Sequence, residues 1–182
     1  MIHDPKLTDI LSDMEVEEFA GEVYRATRKS LDPLAASSSG GRWMPRGEAN
    51  VLYTALSRDG ALAELTYHWG MLSPLPSKPA VLSRIDVNIS SSLRVLRTDF
   101  AALGVDESRY EELDYSRMQE VGAALAFLEY HGLIVPSARW GCENLIVFTD
   151  NLDSDDNLNF LDAEEVDWQQ WGKEKEVLSK NN

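Results

Sequence analysis

Histidine, cysteine and basic residues are scarce in this 182-residue chain, and each scarcity excludes something. A single cysteine, Cys142, leaves no intramolecular disulfide and no Cys-rich zinc site. The three histidines, His3, His68 and His131, are scattered, with no H-x-x-x-H pair and no acidic spacing around them, so no metal is expected. His131 reads as the last residue of a helix, favoured there by the helix dipole. Lysine and arginine total 17 against 31 acids, a formal charge of −14. Such a chain is a poor non-specific ligand for nucleic acid and a poor match for an anionic membrane. No stretch approaches the ~20 apolar residues of a membrane span. Met1 to Leu11 carries no apolar run behind basic residues, so no signal peptide is expected and the expected address is a reducing cytoplasm. A Walker A loop, a G-x-G-x-x-G and a G-x-S-x-G elbow are all missing. Ser137, in Val135-Pro136-Ser137-Ala138-Arg139, has no histidine that stands out as its base, which argues against a serine hydrolase.

What is present is an ordinary globular balance, 43% apolar and 26% charged. The length fits about one domain, and a chain this long can bury about 70% of its unfolded surface without metal or disulfide staples. Charge is uneven along it. Val23 to Gly47 holds Arg25, Arg28, Lys29, Arg42 and Arg46 against Asp32 alone, whereas Asp150 to Trp168 holds eight acids and no base. A basic island in an acidic chain is either a solvated face or an anion-binding pocket.

Local patterns mix α and β. Glu15–Gly21 reads as a short helix leading into an extended Val23–Thr27. Ser37–Gly41 reads as a flexible Gly/Ser loop, and Asn50–Leu56 as a strand after a turn at Pro45-Arg46-Gly47. Ser57 caps a helix over Asp59–Trp69, with Leu62, Leu65 and Trp69 on one face and Glu64 off it. Val81–Ile89 alternates like a half-buried strand, with Leu93–Leu96 as its expected partner. Phe100–Leu103 is a short helical turn. Ser116–His131 has the clearest helical period, burying Met118, Val121, Leu125 and Leu128 and stopping at Gly132. Leu133–Val135 and Leu145–Phe148 are strand-like. The acidic stretch after Asp150 reads as loop, and Phe160–Leu178 as a strand or a terminal helix packed through Trp168 and Trp171. Three segments are expected: a helical lead-in over 1–22, a central domain over 23–150, and an acidic extension over 151–182 packed on the same domain.

The residues left over for chemistry are Arg25, Arg42, Tyr53, Glu64 and Ser137. Each also has a structural reading: the arginines as surface charges, Tyr53 as a core ring, Glu64 as a solvent-facing helix residue, Ser137 as a turn residue. Their order along the chain, however, resembles a known family. Tyr24-Arg25, then Gly41-Arg42-Trp43-Met44-Pro45-Arg46-Gly47, Val51-Leu52-Tyr53-Thr54-Ala55-Leu56-Ser57 and Ala61-Leu62-Ala63-Glu64 resemble the RES domain. So do Gly132-Leu133-Ile134-Val135-Pro136-Ser137-Ala138 and Glu143-Asn144-Leu145-Ile146 further on. Met44 departs from the family's usual Asn, and the tail after Asp150 does not align.

The resemblance implies an α+β single domain similar to the ADP-ribosyltransferase toxin fold, a mixed β-sheet core with flanking helices. It implies the toxin of a bacterial toxin–antitoxin pair, bound by an Xre-type helix-turn-helix antitoxin. The implied activity is consumption of NAD⁺, as substrate rather than cofactor, by hydrolysis or phosphorolysis of the nicotinamide–ribose bond. The alternatives are ADP-ribosylation of a cellular protein and an inactive interaction module. Arg25, Glu64 and Tyr53 are then expected to be catalytic, and Arg25, Arg42, Tyr53, Ser137 and Asn144 to bind NAD⁺. Guanidinium groups suit phosphate oxygens, and a carboxylate beside the sugar suits a cation forming at its anomeric carbon. Arg46 competes with Arg42 for the phosphate role, since both lie in one loop. No direct contact with nucleic acid or membrane is expected. A homodimer or a hetero-oligomer with the antitoxin is, with a basic or amphipathic partner segment plugging the pocket.

Overall fold

The computed structural model describes residues 3–178. Helix α1 (Pro5–Ser12) is capped by the Asp4 side chain and buries Leu7 and Leu11. Strand β1 (Val16–Arg28) follows directly. The helix expected over Glu15–Gly21 is therefore strand. The acids there favour no strand on their own, but β1 pairs antiparallel with the long β3 (Ala80–Arg94) from Val16↔Leu93 to Arg28↔Ala80, and that tertiary pairing overrides local preference. Ser90, Ser91 and Ser92 do not break β3, so Leu93 and Arg94 continue the strand instead of forming a partner to it.

Strand β2 (Val51–Ala55) and helix α2 (Arg58–Gly70) lie where the pattern places them, and Ser57 Oγ accepts from the Gly60 N–H at the helix start. Helix α3 (Phe100–Leu103) is a single turn. Helix α4 spans Ser116–Phe127 and ends short of His131. Glu129 takes a left-handed φ of 62°, which breaks the helix, and Gly132 opens β4 (Gly132–Pro136). His131 thus lies between elements, its Nδ1 2.7 Å from the buried Asp156 carboxylate. Strand β5 (Glu143–Phe148) follows. The segment after Asp150 contains β6 (Asn157–Val166), paired antiparallel with β3, and ends in α5 (Trp168–Glu174). Its acids gave no strand signal because nearly every β6 side chain is exposed. Among the described residues six strands run in the order β1-β2-β5-β4-β3-β6, mixed because β3–β4 is parallel, and five α-helices flank them.

A further pairing of β1 with β3 closes β1, β2, β5, β4 and β3 into a ring. Inside it Val23, Leu52, Ile85, Val87, Ile89, Ile134, Leu145 and Val147 form an aliphatic core, with a contribution from every strand of the ring. A second core packs α1, α3 and α4 on the outer face through Leu7, Leu11, Phe100, Leu103, Val121 and Leu125. Smaller clusters seat α2 and α5 around Leu62, Trp168 and Trp171. One seam of the ring is thin. β1 meets β2 only at Tyr24↔Ala55. Continuing that register would pair Ala26 with Tyr53, but the strands have parted there. No helix among the described residues is long and apolar enough to cross a membrane.

Candidate active site

The parting of β1 and β2 opens a cleft of about 750 Å³, within the range of small-molecule sites. Its walls are the last residues of β1, the Leu31–Trp43 loop, β2, one face of α2, and Tyr115, Asn144 and Ile146. Arg25, Arg42, Tyr53, Glu64 and Asn144 all line it, and Ser137 reaches it through Glu64. Arg46 is exposed and stands outside the lining, so the geometry separates it from Arg42.

Glu64 is the only carboxylate among the lining residues. Its position off the apolar stripe of α2 turns it away from the core and into the cleft. Oε1 accepts from Ser137 Oγ at 2.9 Å and from Asn144 Nδ2 at 2.9 Å. Oε2 accepts from no described residue. Ser137 comes from the turn after β4 and Asn144 from β5, so two adjacent strands fix one carboxylate. The buried Ser137 Oγ also accepts the Arg139 N–H at 3.1 Å and the Trp140 N–H at 3.2 Å. Its one donor and both its lone pairs are then in use, and two N–H groups pulling on the oxygen make the O–H a stronger donor to Glu64. Asn144 Oδ1 is buried and has no partner among the described residues.

Tyr53 stands on β2 with its hydroxyl accepting the Trp43 N–H at 3.2 Å. Burial, offset in part by the Trp43 and Met44 N–H groups, pushes the phenol well above its ordinary value, so it stays protonated at neutral pH. Gly41 lies against this ring: a Cβ there would meet Tyr53 Oη at 2.7 Å. The arginines are held without carboxylates. Arg25 Nη1 donates to the carbonyls of Pro33 at 2.7 Å and Ala35 at 2.9 Å, strapping the loop to β1. Burial lowers its pKa, against the pull of Asp32. Arg42 donates to the carbonyls of Tyr110 and Glu112 and stacks on Tyr115, with its guanidinium carbon 4.5 Å from the ring centre. Helix α4 supports that loop from below. Gln119 Nε2 donates to the Gly41 carbonyl at 2.9 Å, and at Gly122 a Cβ would fall 1.5 Å from the Trp43 carbonyl oxygen, so only glycine fits. The Ser/Gly loop expected to be flexible is thus tied down, also by the Ser37↔Val51 bridge.

Residue choice from the sequence missed His68 and Tyr115, which line the cleft. His68 was visible in principle, one helical turn beyond Glu64 and so on the same face. It sits at the exposed rim, and its ring is held below the usual histidine pKa by partial burial first, with Arg139 and Arg42 adding to the effect and Glu64 opposing it. Tyr115 reaches the cleft from a loop whose sequence carries no motif. Away from the cleft, His131, Asp153 and Asp156 come together with their ligating atoms within 4.8 Å, although no spacing in the sequence suggested it. Asp156 there already accepts from the backbone N–H groups of Ser90 and Asp153, which ties the turn before β6 to β3.

Comparison with known proteins agrees with this architecture. No curated protein matches the chain by sequence. Among solved structures, the M. tuberculosis MbcT–MbcA toxin–antitoxin complex contains a chain that superposes with a TM-score of 0.81 at 22% identity, covering 93% of this chain and 97% of that one. At that identity the likeness shows the fold. The RES domain family matches residues 22–169, a span that takes in the cleft, Glu64, Ser137, Asn144 and the β6 strand. This chain therefore belongs to the RES domain family.

Proposed function

We propose that the chain is the toxin of a toxin–antitoxin pair and that it cleaves the nicotinamide–ribose bond of NAD⁺ in the cleft. The observation that carries this reading is the Glu64 carboxylate: one oxygen is pinned by Ser137 and Asn144, and the other faces a cleft whose remaining charges are arginines. Cleavage of that bond passes through an oxocarbenium-like state, as glycoside cleavage does. The bonding electron pair leaves on the nicotinamide nitrogen, so the leaving group is neutral and needs no acid. The acceptor oxygen, from water or phosphate, bonds to the anomeric carbon and releases a proton to solvent. Glu64 Oε2 offers an acceptor to a ribose hydroxyl and sets negative charge where the cation forms. Arg25 and Arg42 bring positive charge toward the pyrophosphate. Tyr53 supplies a protonated phenol and a ring wall. Ser137 acts on Glu64 as a positioning residue.

Strand alternation adds support for the nicotinamide end. Val51 exchanges hydrogen bonds with Ser37 on the cleft side of β2, so Tyr53, two residues on, also turns its backbone N–H and C=O that way. An unpaired N–H and C=O complement a carboxamide.

The superposed MbcT–MbcA structure holds a toxin with its antitoxin. By analogy this chain acts in the cytoplasm and is restrained by an antitoxin of the Xre type, whose basic or amphipathic segment occludes the cleft. The deciding experiment mixes purified chain with NAD⁺, with and without phosphate, and follows nicotinamide by proton NMR, with Glu64→Ala as control. Release by the wild type and not the variant supports the reading, and the sugar product names the acceptor. No release from folded, antitoxin-free chain refutes it, and label transferred from NAD⁺ to lysate protein assigns ADP-ribosylation in its place.

A further inference from the structure

Arg139 sits in the turn between β4 and β5, two residues after Ser137. Its guanidinium carbon lies 3.4 Å from the centre of the Tyr67 ring, one helical turn along α2 from Glu64. Stacking satisfies the face of a guanidinium and leaves its in-plane N–H groups to be answered separately. Here Nε and Nη2 are buried and have no acceptor among the described residues. These two nitrogens form the side-on fork that grips two oxygens of a carboxylate or phosphate at once. A buried charge without a partner is strongly unfavourable, so the fork calls for an anion.

The surroundings indicate which kind. Other arginines of this acidic chain find carboxylates: Arg58 has Glu164, Arg84 has Asp162 and Glu22, Arg94 has Glu17 and Glu143, and Arg117 has Glu120. Arg139 stands behind the cleft wall rather than in its lining, but Tyr67, the ring it stacks on, precedes His68 in α2, and Ser137, two residues before Arg139, holds Glu64. The cleft lining itself sets one carboxylate, Glu64, against Arg25, Arg28 and Arg42, so it is net positive. His68 stands there at the exposed rim with a ring N–H available as a neutral donor.

We propose that Arg139, with His68 as neighbouring donor, is a binding residue for a phosphate-type oxyanion beside Glu64. The oxyanion is either free inorganic phosphate, placed to attack the anomeric carbon, or the pyrophosphate of the dinucleotide. Only the choice between these sources rests on the NAD⁺ reading above. The fork is covered in the free chain, so the anion is met by rotation of the Arg139 side chain away from the Tyr67 ring toward His68.

The test titrates inorganic phosphate, and separately ADP-ribose, into the full chain and reads binding by calorimetry. No turnover is involved, so its result stands apart from nicotinamide release. The wild type binds at least one probe. Arg139→Gln weakens that binding about 10-fold or more, the usual effect of losing a charge-assisted pair, and Arg139→Lys, with charge but no fork, falls between. Arg84→Ala, on the β6 face, leaves it unchanged. Weakening for phosphate alone identifies an acceptor site, and weakening for ADP-ribose alone identifies a pyrophosphate site. Weakening for both identifies one subsite for which they compete. Near-UV circular dichroism confirms that each variant is folded, and Arg139→Lys serves alone if the glutamine variant is not. Binding of neither probe by the wild type, or unchanged affinity for both in a folded variant, overturns the proposal.

Discussion

On the β6 side of the sheet Arg84 reaches Asp162 at 2.6 Å and Glu22 at 3.2 Å, and Arg58 reaches Glu164 at 2.8 Å. In the cleft Arg25 and Arg42 reach no carboxylate; their partners are carbonyl oxygens, aromatic rings and, for Arg42, the Met118 sulfur at 4.0 Å. Both regions belong to one chain with 31 acids, so a shortage of carboxylates does not account for the difference. It lies in where the fold puts them. β6 carries Asp162, Glu164 and Glu165 outward beside β3, whereas the cleft admits one carboxylate, and that one is held by neutral donors. The exposed pairs cancel charge in water, where each contributes little. The cleft arginines keep their charge in partly desolvated surroundings, where it acts more strongly on a ligand.

Glu64→Ala puts the greatest strain on this comparison. Loss of the one cleft carboxylate is expected to cost about 10²–10³ in rate with the fold retained, measured as nicotinamide release. Next, Gly122→Ala drives a methyl into the Trp43 carbonyl and must displace the loop that carries Arg42. A loss of about 1–3 kcal/mol in urea unfolding is expected, together with weaker NAD⁺ binding. Arg42→Ala should weaken NAD⁺ binding about tenfold while Arg46→Ala leaves it alone, the cost of one charge-assisted contact. The reverse result would exchange their roles. Arg84→Ala, by contrast, should shift stability by under about 1 kcal/mol and leave turnover unchanged. A large loss of activity in that variant would break the distinction between the two regions.

The smallest effect is one of pH. Burial raises the Asp156 carboxyl, but the N–H groups of Asp153 and Ser90 and the His131 ring outweigh it and hold it below its usual range. With the folded value below the unfolded one of about 3.9, its stabilisation is full above that pH and fades as pH falls through the folded value. The gap in melting temperature between wild type and Asp156→Asn should therefore narrow below about pH 4.

Much of this was legible in the sequence because it was local. Ser57 capping α2, Glu64 turned off the stripe of Leu62 and Leu65, and the short apolar runs of β4 and β5 need only neighbours in the chain to be read. The order of the motifs brought Arg25, Arg42, Tyr53, Glu64 and Asn144 to one cleft, with Ser137 behind Glu64. What could not be read depended on distant partners. Glu15–Gly21 becomes strand because β3 lies beside it. β6 has no apolar alternation because the side chains on both of its faces are exposed. His131 meets Asp156 across 25 residues of chain. Arg139 gave no signal at all, since an arginine's lack of a partner is visible only once its surroundings are folded.

The single pair joining β1 to β2 has a consequence for backbone hydrogen exchange. Tyr24 and Ala55 close the ladder, and Ala26 and Tyr53 would form its next rung had the strands stayed together. Their amides face each other across the cleft outside any ladder pairing, whereas Val23 is paired to β3 and Leu52 to β5. Deuterium should enter these two positions quickly and the flanking Val23 and Leu52 slowly. An occupied cleft would slow the fast pair. The site can then be watched filling, with antitoxin or with substrate, through two peptide groups that the β-sheet leaves unjoined.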